Sequence, residues 1–106
     1  MRPSKITKRY TFKSNDYLID VDYIVDNQSD SRWASTYYSQ ISRDDSADPG
    51  ADSAGFGMQS YLGAATTTND DPYKKISFKE IKNKKTRFQN TGGWVAMIQH
   101  YFVSAW

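Results

Sequence analysis

No cysteine occurs anywhere in the sequence. That excludes a disulfide framework, a thiolate nucleophile and a cysteine-based zinc site, and it leaves the compartment open. Histidine is nearly absent too, with His100 the single one. A general base needs a nucleophile to act on and a partner that orients it. The neighbours of His100 are Gln99 and Tyr101, which supply neither, so the ring is expected to pack at a sheet surface. Long apolar runs are missing as well. No stretch approaches the ~20 apolar residues that span a bilayer. Met1-Arg2-Pro3-Ser4-Lys5 leads straight into polar alternation, so it does not read as a signal peptide. Charge of one sign is not in excess. The net charge of +2 is too small to mark nucleic acid or an anionic membrane as a global partner.

What is present points to β-structure. The 106 residues fit one small domain with a modest core. Aromatic residues make up 15%, and with many Thr and Ser they suit a pleated, half-buried surface. Ile6, Lys8, Tyr10 and Phe12 alternate with Thr7, Arg9, Thr11 and Lys13, the period of a strand. Ser14-Asn15-Asp16 is turn chemistry. Tyr17 to Val25 alternates again, and the two runs together predict an antiparallel hairpin. Its first strand is basic and its second acidic, so cross-strand charge pairs are expected on the solvated face.

Asp26 to Asp30 reads as a second turn, and Trp33 to Ile41 as a third strand with less cleanly sorted faces. Arg43 to Gly57 is loop composition around Pro49-Gly50. Met58 to Ala65 reads as a short strand, Thr66 to Pro72 as a loop, and Tyr73 to Ile81 as a mixed strand. Asn83 to Thr91 is polar and reads as turn. In the closing run Trp94, Met97, Ile98, Tyr101, Phe102 and Ala105 fall at helical spacing, yet they equally suit a buried strand. The preceding Gly92-Gly93 and the β-rich context favour a strand, bent if need be.

Four constellations invite chemistry. The acidic stretch Asp44 to Asp52 suggests calcium, but its carboxylates do not fall at EF-hand offsets and no Glu closes the loop, so a solvated loop is expected. The run from Tyr73 to Arg87 interleaves lysines with aromatics, as some nucleic-acid binders do. Arginine is scarce there and the rest of the chain cancels the field, which favours a lysine-rich surface with a protein or lipid-headgroup contact as the functional reading. Lysines also guard an exposed strand edge. Gly92-Gly93 lacks phosphate-loop spacing and is expected to take positive φ or to allow close backbone approach. Trp94, Tyr101, Phe102 and Trp106 could line a sugar face but are read as core.

The closing run carries a family resemblance. Thr91-Gly92-Gly93-Trp94-Val95-Ala96-Met97-Ile98-Gln99-His100-Tyr101-Phe102-Val103-Ser104-Ala105-Trp106 resembles the signature of the periplasmic domains of YidC-type membrane protein insertases. Tyr61-Leu62-Gly63-Ala64-Ala65, Pro72-Tyr73-Lys74-Lys75, Phe78 and Ile81 follow the family in order and spacing, and the hairpin from Tyr10 to Tyr23 looks like its earlier strands. The acidic loop departs from the family. The resemblance implies a mainly all-β fold, part of a β-supersandwich similar to the galactose-mutarotase-like fold, on the periplasmic side of a Gram-negative inner membrane. It implies that the full protein inserts and folds membrane proteins, alone or with the Sec translocon, through membrane helices that lie outside these 106 residues. Residues 1–106 are then expected to be a piece of one β-sandwich domain, cut at both ends, and marginally stable alone because cut sheets leave edges unpaired.

No catalytic residue, cofactor or metal is expected, and no nucleic acid. The implied partners are accessory Sec subunits and the rest of the insertase, with nascent membrane proteins as clients of the full protein. Lys74, Lys75, Lys79 and Lys82 are the candidate partner contact. Gly92, Gly93, Trp94, Met97, Gln99, Tyr101, Phe102 and Trp106 are expected to be mainly structural. The competing reading is a carbohydrate-binding or mutarotase-like module, argued only from fold analogy and aromatic content.

Overall fold

A computed structural model describes residues 4–49 and 60–106. The chain divides into two compact units, Met1–Tyr38 and Ser39–Trp106.

The first unit is the expected hairpin. Strand β1 (Ser4–Phe12) pairs antiparallel with β2 (Ile19–Asn27), in register from Ser4↔Asn27 to Phe12↔Ile19. Asn15 takes the left-handed conformation at φ 64°, which asparagine tolerates because its short side chain bonds locally. The Asp16 carboxylate accepts the Leu18 N–H at 3.0 Å and closes the turn. The register sorts the faces as the alternation requires. Arg9 pairs with Asp22 at 3.1 Å and Lys13 with Asp20 at 2.9 Å. On the other face Ile6, Tyr10 and Phe12 meet Val25, Val21 and Ile19. Lys8 sits within that apolar stripe, its ammonium 4.8 Å from the Tyr10 ring centroid and 5.5 Å from that of Tyr23. Two ring faces offset the cost of placing a cation there.

The third strand expected at Trp33 to Ile41 does not form, and the segment is irregular. Its apolar residues do not alternate, so no single face favours a ladder over side-chain docking. Tyr37 instead sets its ring edge-on to Tyr23 at 5.2 Å. The turn before it hangs on the Asn27 side chain. Its Oδ1 accepts from Ser4 Oγ, Ser29 N and Ser29 Oγ, and its Nδ2 donates to the Ser31 carbonyl at 2.8 Å.

The second unit holds a four-stranded antiparallel sheet in the order β4-β3-β5-β6. These strands are β3 (Gly63–Thr66), β4 (Lys74–Ile76), β5 (Val95–Ile98) and β6 (Val103–Ala105). β3 corresponds to the short strand expected at Met58 to Ala65, of which residues 58 and 59 lie outside the described residues. The β3–β4 loop closes on Thr68 and Asp71, whose backbone and side-chain groups bond each other at 2.8–3.1 Å.

Two expectations fail here. Tyr73 to Ile81 is not one strand: β4 stops at Ile76 and helix α1 (Phe78–Asn83) follows. The cause is a capping box. Ser77 Oγ accepts from Glu80 N at 3.2 Å, and the Glu80 carboxylate accepts from Ser77 N at 2.7 Å. The closing run is not one bent strand either. It is a hairpin of β5 and β6 turning at residues 99–102, where Gln99 N donates to Phe102 O at 2.8 Å.

The fold is therefore mainly β, with one antiparallel sheet in each unit. Its buried centre is made of small residues. Ala64, Ala65 and Ala96 are the buried hydrophobics among the described residues, and no large side chain there is fully buried. The expectation that the closing aromatics form the core is corrected within this chain. Tyr101 and Phe102 are 77% and 73% exposed, because the β5–β6 turn carries them beyond the alanine layer.

Candidate interaction surface

The lysines singled out from the sequence fall on two adjacent elements. Lys74 and Lys75 lie on β4, an edge strand, where lysines oppose pairing with other chains. Lys79 and Lys82 lie on α1. The Lys75 ammonium sits 4.8 Å from the centroid of the Tyr61 ring. The Tyr61 hydroxyl is fixed by donating to Ala64 O at 2.6 Å, and burial pushes its pKa up. Lys82 forms an ion pair with Asp45.

The acidic loop is not simply solvated, as the sequence suggested. Residues 43–49 form a strap against the second unit's own elements; the loop's remainder, 50–57, lies outside the described residues. The Arg43 guanidinium lies 5.4 Å over the Phe78 ring of α1. Arg43 also donates to Asp44 O at 2.9 Å and to Ser46 O at 3.0 Å. Asp48 places one carboxylate oxygen 3.7 Å from Arg43 Nη1 and accepts the His100 N–H on the other at 2.8 Å. Hydrogen bonds from the Ser46 hydroxyl and N–H hold Asp44 below the usual carboxylate range, and the hydrogen bond from Lys82 does the same for Asp45. Among the described residues no three His, Asp or Glu side chains gather as metal ligands would.

His100 lies in the β5–β6 turn rather than on a sheet surface. Its ring meets Tyr101 edge-on at 4.1 Å, and its backbone carries the bond to Asp48.

The closing signature divides into two groups. Gly92 and Gly93 take φ of 77° and 119°, as the paired glycines suggested. They deliver the Trp94 carbonyl to the end of β3, where it accepts from Thr67 N at 3.1 Å and Thr66 Oγ1 at 2.9 Å. The Trp94 ring packs on Tyr73 at 5.8 Å. Met97 and Gln99 are half-buried. Tyr101, Phe102 and Trp106 form the outward group, with Trp106 still bonded through its backbone to Val95 at 2.9 and 3.0 Å. Sequence reasoning missed Arg43, the strap's anchor, because nothing local marks an arginine that will dock on a ring 35 positions away.

No solved structure matches the chain significantly. The family model for the YidC periplasmic domain matches residues 2–106. A membrane protein insertase YidC from Saccharophagus degradans is 49% identical over 104 residues, covering 97% of this chain and 18% of that protein. The one from Cellvibrio japonicus is 48% identical over 101 residues, 95% of this chain and 18% of the relative. That of Alcanivorax borkumensis is 47% identical over 106 residues, 97% and 18% respectively. This chain thus spans about a fifth of the length of the curated relatives it matches. These relatives are insertases and lend nothing to the carbohydrate reading. The match of nearly every residue, the β-rich fold and the glycine-tryptophan signature agree: the chain belongs to the YidC periplasmic domain family, the periplasmic region of bacterial inner-membrane protein insertases.

Proposed function

We propose that this chain is a non-catalytic scaffolding and interaction region of a membrane protein insertase, and that its two units are parts of one larger β-sandwich of the galactose-mutarotase-like kind. One observation carries the reading: the apolar side chains lie outside. Phe12, Phe102 and Val103 are each more than two-thirds exposed, while the buried hydrophobics among the described residues are alanines. Full burial of one such large side chain contributes about 1.5–3 kcal/mol, so these faces, and the edges of β4 and β6 that no described strand pairs, call for further chain to cover them. The full protein would insert and fold membrane proteins, which are its clients. No cofactor enters this reading.

Lys74, Lys75, Lys79 and Lys82 are the contact for an accessory Sec subunit. The reading is supported by their clustering on an edge strand and the helix beside it. The test is charge reversal of all four to Glu in the full-length insertase, followed by co-purification from membranes. Loss of accessory Sec subunits, with insertase levels unchanged, is the expected result; undiminished recovery refutes the contact.

A further inference from the structure

We infer that the lysine face of β4 and α1 takes an acidic protein segment, and that the chain's own strap, residues 44–48, occupies part of that place until the segment displaces it. The inference rests on the interaction reading above and names the chemistry of the partner. Lys79 and Lys82 lie three apart on α1, with Lys74 and Lys75 on the strand just before it, and among the described residues only Lys82 of these four is in an ion pair; its partner, Asp45, comes from the strap. The strap is itself a peptide carrying carboxylates, laid on α1. It therefore shows in this chain which chemistry the surface accepts.

The strap is built to be held and yet to yield. Its ends are anchored, by Arg43 over Phe78 and by Asp48 on the His100 N–H. Arg43 is only 15% exposed. The Asp45 contact between them lies open to water. Asp45 and Lys82 are 54% and 63% exposed, and water screens such a pair. Between strap and helix a hollow of about 190 Å³ remains, bounded by Arg43, Asp45, Phe78, Ile81 and Lys82. An incoming acidic side chain can thus reach Lys82 while Arg43 keeps the strap attached. A competitor tethered in this way lowers affinity without abolishing it, because its carboxylate is always near. Lipid phosphate would also meet lysines, and binding to anionic vesicles is the outcome that separates it from a peptide.

The test uses the full-length insertase in detergent, with a fluorescein-labelled decaglutamate peptide as probe and anisotropy as readout at low salt. Asp45→Asn is expected to tighten binding about two- to fivefold, the worth of one exposed ion pair. Asp30→Asn makes the same charge change in the hairpin unit and is expected to leave affinity unchanged. Lys82→Gln weakens binding and makes Asp45→Asn silent. Equal effects of Asp45→Asn and Asp30→Asn would overturn the inference. So would binding to vesicles rich in phosphatidylglycerol with none to the peptide. If Asp45→Asn has no effect but reversal of the four lysines still abolishes peptide binding, the strap inference fails and the interaction reading stands. If that reversal changes neither peptide binding nor co-purification, the interaction reading itself fails.

Discussion

Gly92 and Gly93 differ in what a methyl group would meet, and that difference is measurable. At Gly92 the backbone is left-handed, with φ 77°, and an added Cβ has nothing within 4 Å. Gly92→Ala should therefore cost only the left-handed penalty, about 1–2 kcal/mol. At Gly93, φ is 119° and the Cβ would collide with the Thr67 Cγ2 methyl. Backbone in such sparsely populated regions costs about 1–3 kcal/mol by itself. Relieving the clash must also move Thr67, whose N–H bonds the Trp94 carbonyl and whose own carbonyl accepts from Asn90. Losing one such hydrogen bond adds about 1 kcal/mol. Gly93→Ala is thus expected to cost about 2–4 kcal/mol. With a urea m-value of about 2 kcal/mol per molar, that is a midpoint shift of about 1–2 M. The assay is urea unfolding of the complete periplasmic domain by tryptophan fluorescence. Equal shifts for the two variants would refute the reasoning, because it places the extra cost wholly in the Thr67 contact and the more extreme φ.

Three further outcomes follow from the same geometry. Ser77→Ala removes the half of the capping box made by the Ser77 hydroxyl, which bonds Glu80 N and the Glu80 carboxylate, keeps the Ser77 N–H bond to that carboxylate, and should destabilise by about 1 kcal/mol. Hydrogen bonds from Ser77 hold the Glu80 carboxyl below its ordinary value of 4.5. A depressed folded pKa means stability that is present above 4.5 and lost as pH falls below it, so the Ser77→Ala deficit should shrink on acidification, as read by melts across pH 3–6. A double-mutant cycle on Arg9 and Asp22, both about half exposed, should give a coupling of about 0.2–1 kcal/mol that fades in 1 M salt. The isolated 106-residue chain should melt broadly and bind a hydrophobic dye, and a sharp cooperative transition would contradict the open-faced reading.

The hairpin was legible because period 2 ran without interruption through Ile6–Phe12 and Tyr17–Val25, with turn residues between them. Its charge pairing was legible for the same reason, since alternation sets every face once the register is known. The glycine pair was legible from residue type alone. The break at Ser77 was also written in the sequence, as Ser77-Phe78-Lys79-Glu80, the spacing of a capping box, but the anchors Tyr73, Ile76, Phe78 and Ile81 masked it. The β5–β6 turn had no such mark. Gln99-His100-Tyr101-Phe102 contains no Gly, Pro, Asn or Asp. What holds that turn comes partly from Asp48, a contact across 52 residues that no local pattern reveals. The family resemblance was specific because it rested on that closing run, while the lysines were visible only as composition until they were placed on β4 and α1.

The distribution of size across the second sheet explains why a stretch so rich in aromatics buries so few of them. β3 is one of the two inner strands, flanked by β4 and β5, and its Gly63-Ala64-Ala65 leaves little side chain to stand off a neighbour. Ala96 lies opposite Ala65 on β5 and extends the flat patch. Large residues sit at the margins, as Val103 on β6 and Tyr101 and Phe102 in the turn before it. The covered centre is made of small residues, and the apolar side chains left open to further chain stand at its margins. Exposed as they are, the marginal residues contribute little to holding this stretch together. Once covered, each would add its burial energy, and that energy would be shared by folding and docking. Substitutions at Tyr101 or Phe102 should therefore act on assembly of the whole domain more than on this sheet, whereas Ala65→Val, at a position with no exposure, should disrupt the sheet's own packing.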